Sequence, residues 1–78
     1  MTWTIRIHRL ALGALYRIGR GDAAVVTEAI KRLATNPRPI DSQEIPDRPN
    51  IYRIEAAGHA IIYEMIAIER VIYILWIE

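Results

Sequence analysis

IYRIEAAGHAIIYEMIAIERVIYILWI, residues 51–77, decides the fold. Three runs rich in β-branched and aromatic residues, 51–56, 60–66 and 71–77, are separated by Ala57-Gly58-His59 and by residues 67–70, the pattern of strands interrupted by turns. Connections this short join antiparallel neighbours, so the segment predicts a meander. Arg53, Glu55 and Glu64 fix the pleat, because a charge in a core loses its hydration, and Tyr52, Ile54, Ile61, Tyr63 and Met65 therefore point to the opposite, buried face. The same alternation turns Arg53, Glu55, Ala60, Ile62, Glu64, Trp76 and Glu78 outward, three acids against one base.

Working back from this meander, residues 36–50 carry Pro37, Pro39, Pro46 and Pro49, and a proline both lacks an N–H and pushes its predecessor out of the α region. They predict an irregular surface loop. Before it, Val26, Ala29, Ile30 and Leu33 recur at helical spacing behind Asp22, a residue type whose carboxylate caps helix N-termini, which predicts a helix over 23–35. Gly19-Arg20-Gly21 separates it from 9–18, where Leu10, Leu12, Leu15 and Ile18 predict a shorter amphipathic helix. Residues 2–8 alternate Trp3, Ile5 and Ile7 against Thr2, Thr4, Arg6 and His8, the period-2 signature of a half-buried strand. The expected architecture is α+β in the order β-α-α-β-β-β, with a helical hairpin packed on one face of a mainly antiparallel four-stranded sheet.

Composition bounds what such a chain does. Its 78 residues suffice for one core, so a single domain over 1–78 is expected. An apolar content of 53% is too high for a disordered segment. The absence of cysteine excludes disulfides and thiolate metal sites and suits a reducing compartment, the cytoplasm. The longest apolar runs, such as Val71–Ile77, fall far below the ~20 residues of a membrane helix, and no membrane association is expected. A net charge of +1 conceals an asymmetry, because the bases concentrate in residues 1–40 and the acids in 41–78. Any surface for phosphate belongs to the first half, since counterion release rewards clustered bases.

Tyr52-Arg53-Ile54, then Gly58, then Ile61-Ile62-Tyr63, then an apolar final strand, with Leu33, Asn36 and Pro37 at the end of the second helix, resemble the RelE/ParE superfamily of toxins from type II toxin-antitoxin systems. The resemblance spans nearly the whole chain and rests on the order and spacing of short motifs. It implies a toxin held inactive by a cognate antitoxin protein. In RelE-like members the implied activity is translation inhibition by ribosome-dependent mRNA cleavage without a metal or other cofactor, using cationic side chains. In ParE-like members it is inhibition of DNA gyrase, a binding function. A third possibility is an inactive family member that serves as an antitoxin-binding module. By the resemblance, the basic pair on the second strand falls on Arg53 and Glu55, and the arginine that follows the conserved turn falls on Ala60, with His59 before it. The chain stops at Glu78, before the C-terminal basic and tyrosine positions.

Arg53 and His59 are thus the candidate catalytic residues. Arg53 has an alternative role as a structural partner of Glu55 or Glu64 across strands, and His59 as a solvated turn residue. Tyr63 reads as a core residue whose hydroxyl reaches the rim. Arg17, Arg20, Lys31, Arg32, Arg38 and Arg48, together with Arg9, are candidates for contact with RNA or the ribosome, or else form a solvated face. Ile62, Ile66 and Trp76 form a candidate partner surface for the antitoxin. The final strand is expected at the sheet edge, open to strand addition or to a homodimer. No His-x-x-x-His, paired-carboxylate or phosphate-loop pattern occurs, so no metal or nucleotide cofactor is expected.

Overall fold

The computed structural model describes residues 2–78. In chain order it contains β1 (Thr4–Ile7), α1 (Arg9–Arg17), α2 (Arg20–Leu33), β2 (Gln43–Glu44), β3 (Ile51–Ala56), β4 (His59–Ile66) and β5 (Val71–Ile77). The strands form one mixed sheet in the order β1-β5-β4-β3-β2, and both helices cover one face of it.

The expected meander is present. β3 pairs antiparallel with β4, Tyr52 opposite Tyr63 and Ile54 opposite Ile61, and β4 pairs antiparallel with β5. A bulge at Ile62/Tyr63 leaves Leu75 as the extra residue on β5, so that Ile62 faces Trp76 while Tyr63 faces Ile74. Ala57 and Gly58, at φ +53° and +80°, form the two-residue turn between β3 and β4, and paired positive φ values match the twist of the flanking strands.

Two features differ from expectation. The sheet has five strands, because Gln43 and Glu44 leave the proline-rich loop to pair with Arg53 and Tyr52. Nor is the final strand an edge: β1 lies parallel beside β5, with Thr4 opposite Val71 and Ile7 opposite Ile74. The helical hairpin is the crossover that carries the chain from β1 to the rest of the sheet, the long connection that parallel partners need. The edges are β1 and the two-residue β2, both short, as edges that resist unwanted pairing tend to be.

α1 starts where His8 leaves the sheet and its Nδ1 accepts the Leu10 N–H at 3.1 Å, capping an otherwise unpaired donor. Its buried face is Ala11 and Ala14, with Leu15 and Ile18 partly buried. Leu10 and Leu12, expected in that stripe, are 56% and 37% exposed. Residues 11, 14, 15 and 18 follow the i, i+3, i+4, i+7 period, and their small members bring the helix axis close to the sheet. α2 begins three residues earlier than expected, after Gly19 at φ +89°, and Asp22 lies in its first turn instead of at the cap. Val26, Ile30 and Leu33 are buried and Ala29 partly so, as the periodicity requires.

The core joins these residues to Tyr52, Ile54, Ile61, Tyr63, Ile72, Ile74 and Ile77. Each buried aliphatic side chain contributes about 1.5–3 kcal/mol. Tyr52 and Tyr63 stack with ring centroids 5.8 Å apart, and the Arg38 guanidinium lies 5.1 Å from the Tyr52 centroid. Tyr63 is fully buried, and its hydroxyl donates to the Pro37 carbonyl at 2.7 Å, which ties the loop to the sheet.

Candidate functional site

The face of the sheet turned away from the helices is the candidate site, and strand register orders its side chains into rows. Glu55 is opposite Ala60. In the next row Arg53, Ile62 and Trp76 lie side by side. Then come Ile51, Glu64, Tyr73 and Arg6, and beyond them Ile66, Val71 and Thr4. Ile62 and Trp76 are therefore neighbours, and Trp76 is 40% exposed. Ile66 stands two rows away, with Glu64 and Tyr73 intervening, so the candidate apolar partner surface is split.

Arg6 joins this face because β1 lies beside β5, and Tyr73 because the bulge at Leu75 shifts the alternation of β5 and puts residues 73 and 76 on the same side. The alternation of residues 2–8 already placed Arg6 on the polar side of a strand, but no local signal gives the strand order. With Arg6 the face holds two bases, against Glu55, Glu64 and the adjoining Glu78. Arg53 Nη2 lies 2.7 Å from Glu55 Oε2, along its own strand and not across to a neighbour. This partly exposed pair is worth less than about 1 kcal/mol, but it occupies the one cation that the motif places here. Ala60, in the position of a motif arginine, is 4% exposed and has no group to offer a phosphate.

His59 faces the other way. Its alternation with Ile61 and Tyr63 turns it toward the helices, where Nε2 lies 2.9 Å from Asp22 Oδ2 and Nδ1 lies 2.7 Å from the Glu78 backbone oxygen. It is neither a free turn residue nor a neighbour of Arg53. The hydrogen bond to Asp22, followed by that to Glu78, raises its pKa above the ordinary 6.5, with desolvation opposing. Burial pushes the Tyr63 hydroxyl up to about 12, which leaves it a hydrogen-bond donor at physiological pH.

Arg9, Arg17, Arg20, Lys31, Arg32, Arg38 and Arg48 are all exposed. Arg20, Lys31 and Arg32 ride on α2 and Arg17 ends α1, whereas Arg48 sits in the loop beyond β2, so the basic residues are spread over the helical side and not gathered on the outward face. A cleft of about 820 Å³ runs between α2 and β3, walled by Ala24, Val25, Leu33 and Ile54, with Glu28, Arg32 and Asp41 at its rim. Among the described residues no three His, Asp or Glu side chains are grouped to hold a metal, and no helix is long and apolar enough to cross a membrane.

Solved structures share this arrangement. The RelE–RelB complex from Pyrococcus horikoshii superposes with a TM-score of 0.87 at 23% identity, over 100% of this chain and 94% of that one. The chain has the RelE toxin fold. The toxin-antitoxin complex RelBE2 from Mycobacterium tuberculosis matches with a TM-score of 0.88 at 15% identity, covering 100% of this chain and 98% of that one. In the intact E. coli RelBE complex the RelE fold is matched with a TM-score of 0.84 at 16% identity, over 96% and 93% of the two chains. No protein-family model and no curated protein sequence matches the chain. The mixed five-stranded sheet under two helices is thus the RelE scaffold, reached with a sequence that differs from those of these structures at most positions.

Proposed function

We propose that this chain is the toxin component of a type II toxin-antitoxin module, held by a cognate antitoxin protein. The observation that carries the reading is the end-to-end match to RelE structures, several of them solved with a RelB partner. The activity that goes with this scaffold is ribosome-dependent cleavage of mRNA, which inhibits translation in the cytoplasm. The reaction requires positive charge preorganised where the phosphorane forms, and a single such donor is worth about 2.7–4 kcal/mol, or 10²–10³ in rate. With Ala60 and Glu55 at two motif positions and Arg53 held by Glu55, cleavage is expected to be slow, and Arg6 and Arg53 are the cations that sustain it.

The same depletion favours a second reading, a protein that acts by binding alone. Gyrase inhibition, or the sequestering of an antitoxin, needs no cationic array. In either reading Ile62, Trp76 and Ile66 offer apolar contacts to a partner.

Induced expression of the chain in a bacterial host, with growth followed and mRNA 5′ ends mapped, tests the proposal. Growth arrest with new 5′ ends, relieved by co-expressing the product of an adjacent reading frame and abolished by Arg6→Ala with Arg53→Ala, is the expected result. Arrest with filamentation and intact mRNA would assign gyrase. Normal growth with stable co-purification of the adjacent product would leave the binding module, and normal growth with no such partner would overturn the toxin reading.

A further inference from the structure

Three groups far apart in the sequence meet at one corner of the molecule. His59 opens β4, Asp22 lies in the first turn of α2, and Glu78 follows the last residue of β5. The imidazole is wedged between the other two, Nε2 at 2.9 Å from the Asp22 carboxylate and Nδ1 at 2.7 Å from the Glu78 backbone oxygen. Both partners are acceptors only. A neutral imidazole has one N–H, so it satisfies one of them and turns a lone pair on the other, whereas the imidazolium donates to both. The geometry therefore selects the cation whichever tautomer the neutral ring would adopt.

We propose that His59 is a protonation-dependent staple, which as imidazolium fastens the end of β5 to the N-terminal turn of α2 and on losing its proton lets one of the two go. The groups that bear on it are few. From α2 there is Asp22, with Arg20 exposed in the same turn and not paired with it. From β5 there is the Glu78 backbone. From β3 the register partner is the uncharged Ala56, and Glu55 lies on the opposite face engaged by Arg53. Among the described residues no base competes for the Asp22 carboxylate. The first turn of α2 favours the Asp22 carboxylate through the helix dipole, while the same positive end opposes the imidazolium, so the staple rests on its two hydrogen bonds.

The linkage has a definite sign. His59 is raised from 6.5 in the folded chain, so its contribution is complete below about pH 6.5 and disappears as the pH rises through the higher, folded value. The local consequence is specific. The Glu78 N–H donates to the Ala60 carbonyl at 2.9 Å, one residue from the staple, and this last rung of the sheet is the one that loosens. The inference is independent of the toxin reading, since it concerns the corner whatever the outward face binds.

Nitrogen-detected NMR titration of the whole chain tests it without a variant. His59 should titrate above 6.5, and the protection factor of the Glu78 amide should fall several-fold between about pH 5.5 and about pH 8.5. Asp22→Asn should bring the His59 pKa down towards 6.5 and lower Glu78 protection already at the acid end. His59 titrating at or below 6.5, or Glu78 protection that is the same at both pH values, would overturn the staple.

Discussion

Ala57 occupies a conformation that an L-residue with a Cβ adopts at a cost. At φ +53° beside Gly58 at +80°, it forms the first half of a turn that favours Asn-Gly or Gly-Gly, and the left-handed region costs a residue like Ala about 1–2 kcal/mol. Ala57→Asn should therefore stabilise the chain by about 0.5–1 kcal/mol, seen as a higher urea midpoint at unchanged slope. Tyr63 gives a second single-residue expectation. Its hydroxyl is satisfied by the Pro37 carbonyl and its pKa is pushed up to about 12 by burial. The folded chain thus retains a proton that the unfolded chain releases near pH 10, and stability should fall as the pH rises from 10 towards 12. Tyr63→Phe should cost about 1 kcal/mol near neutrality, the net worth of one hydrogen bond, and should flatten that alkaline decline in pH-dependent chemical denaturation. The inward placement of Tyr63 was legible from the charges that alternate with it. Its acceptor was not, since a backbone carbonyl in a loop has no mark in the sequence.

At the scale of elements, burial separates the two helices. α2 could be read from Val26, Ala29, Ile30 and Leu33, because its buried residues are also its large apolar ones. In α1 the most deeply buried residues are Ala11 and Ala14, both at most 6% exposed, whereas the larger Leu10 and Leu12, which dominate the apolar pattern, face solvent. A helix that lies close on a sheet has no room for large side chains at its nearest points. Leu33→Ala in α2 should therefore destabilise by about 2–5 kcal/mol through loss of burial and the cavity left behind, whereas Leu10→Ala should change the thermal midpoint little. On the candidate site, Arg53, Ile62 and Trp76 were correctly assigned to one face by alternation. Arg6 escaped because what joins it to that face is a pairing between the first and last strands, and Tyr73 because the bulge at Leu75 reverses the alternation of β5; no local pattern encodes either.

The whole molecule depends on that pairing. β5 is an uncharged run, VIYILWI, and among the described residues β1 is the strand that covers it on one side. Thr4→Pro removes the Thr4 N–H that donates to Arg70 at 2.9 Å and should free β1, leaving β5 as an open apolar edge of the kind that pairs with other chains. Concentration-dependent association in sedimentation velocity, absent in the parent chain at matched concentration, is the expected outcome. The same strand order also sets a schedule. On the ribosome β1 emerges first and must wait for a partner about 64 residues downstream, roughly 3–13 seconds at ordinary elongation rates. Throughout that interval the sheet is unfinished and Arg6 has no face to join. The outward face is incomplete until the last strand arrives, and a binding partner already present at that moment meets the completed surface first.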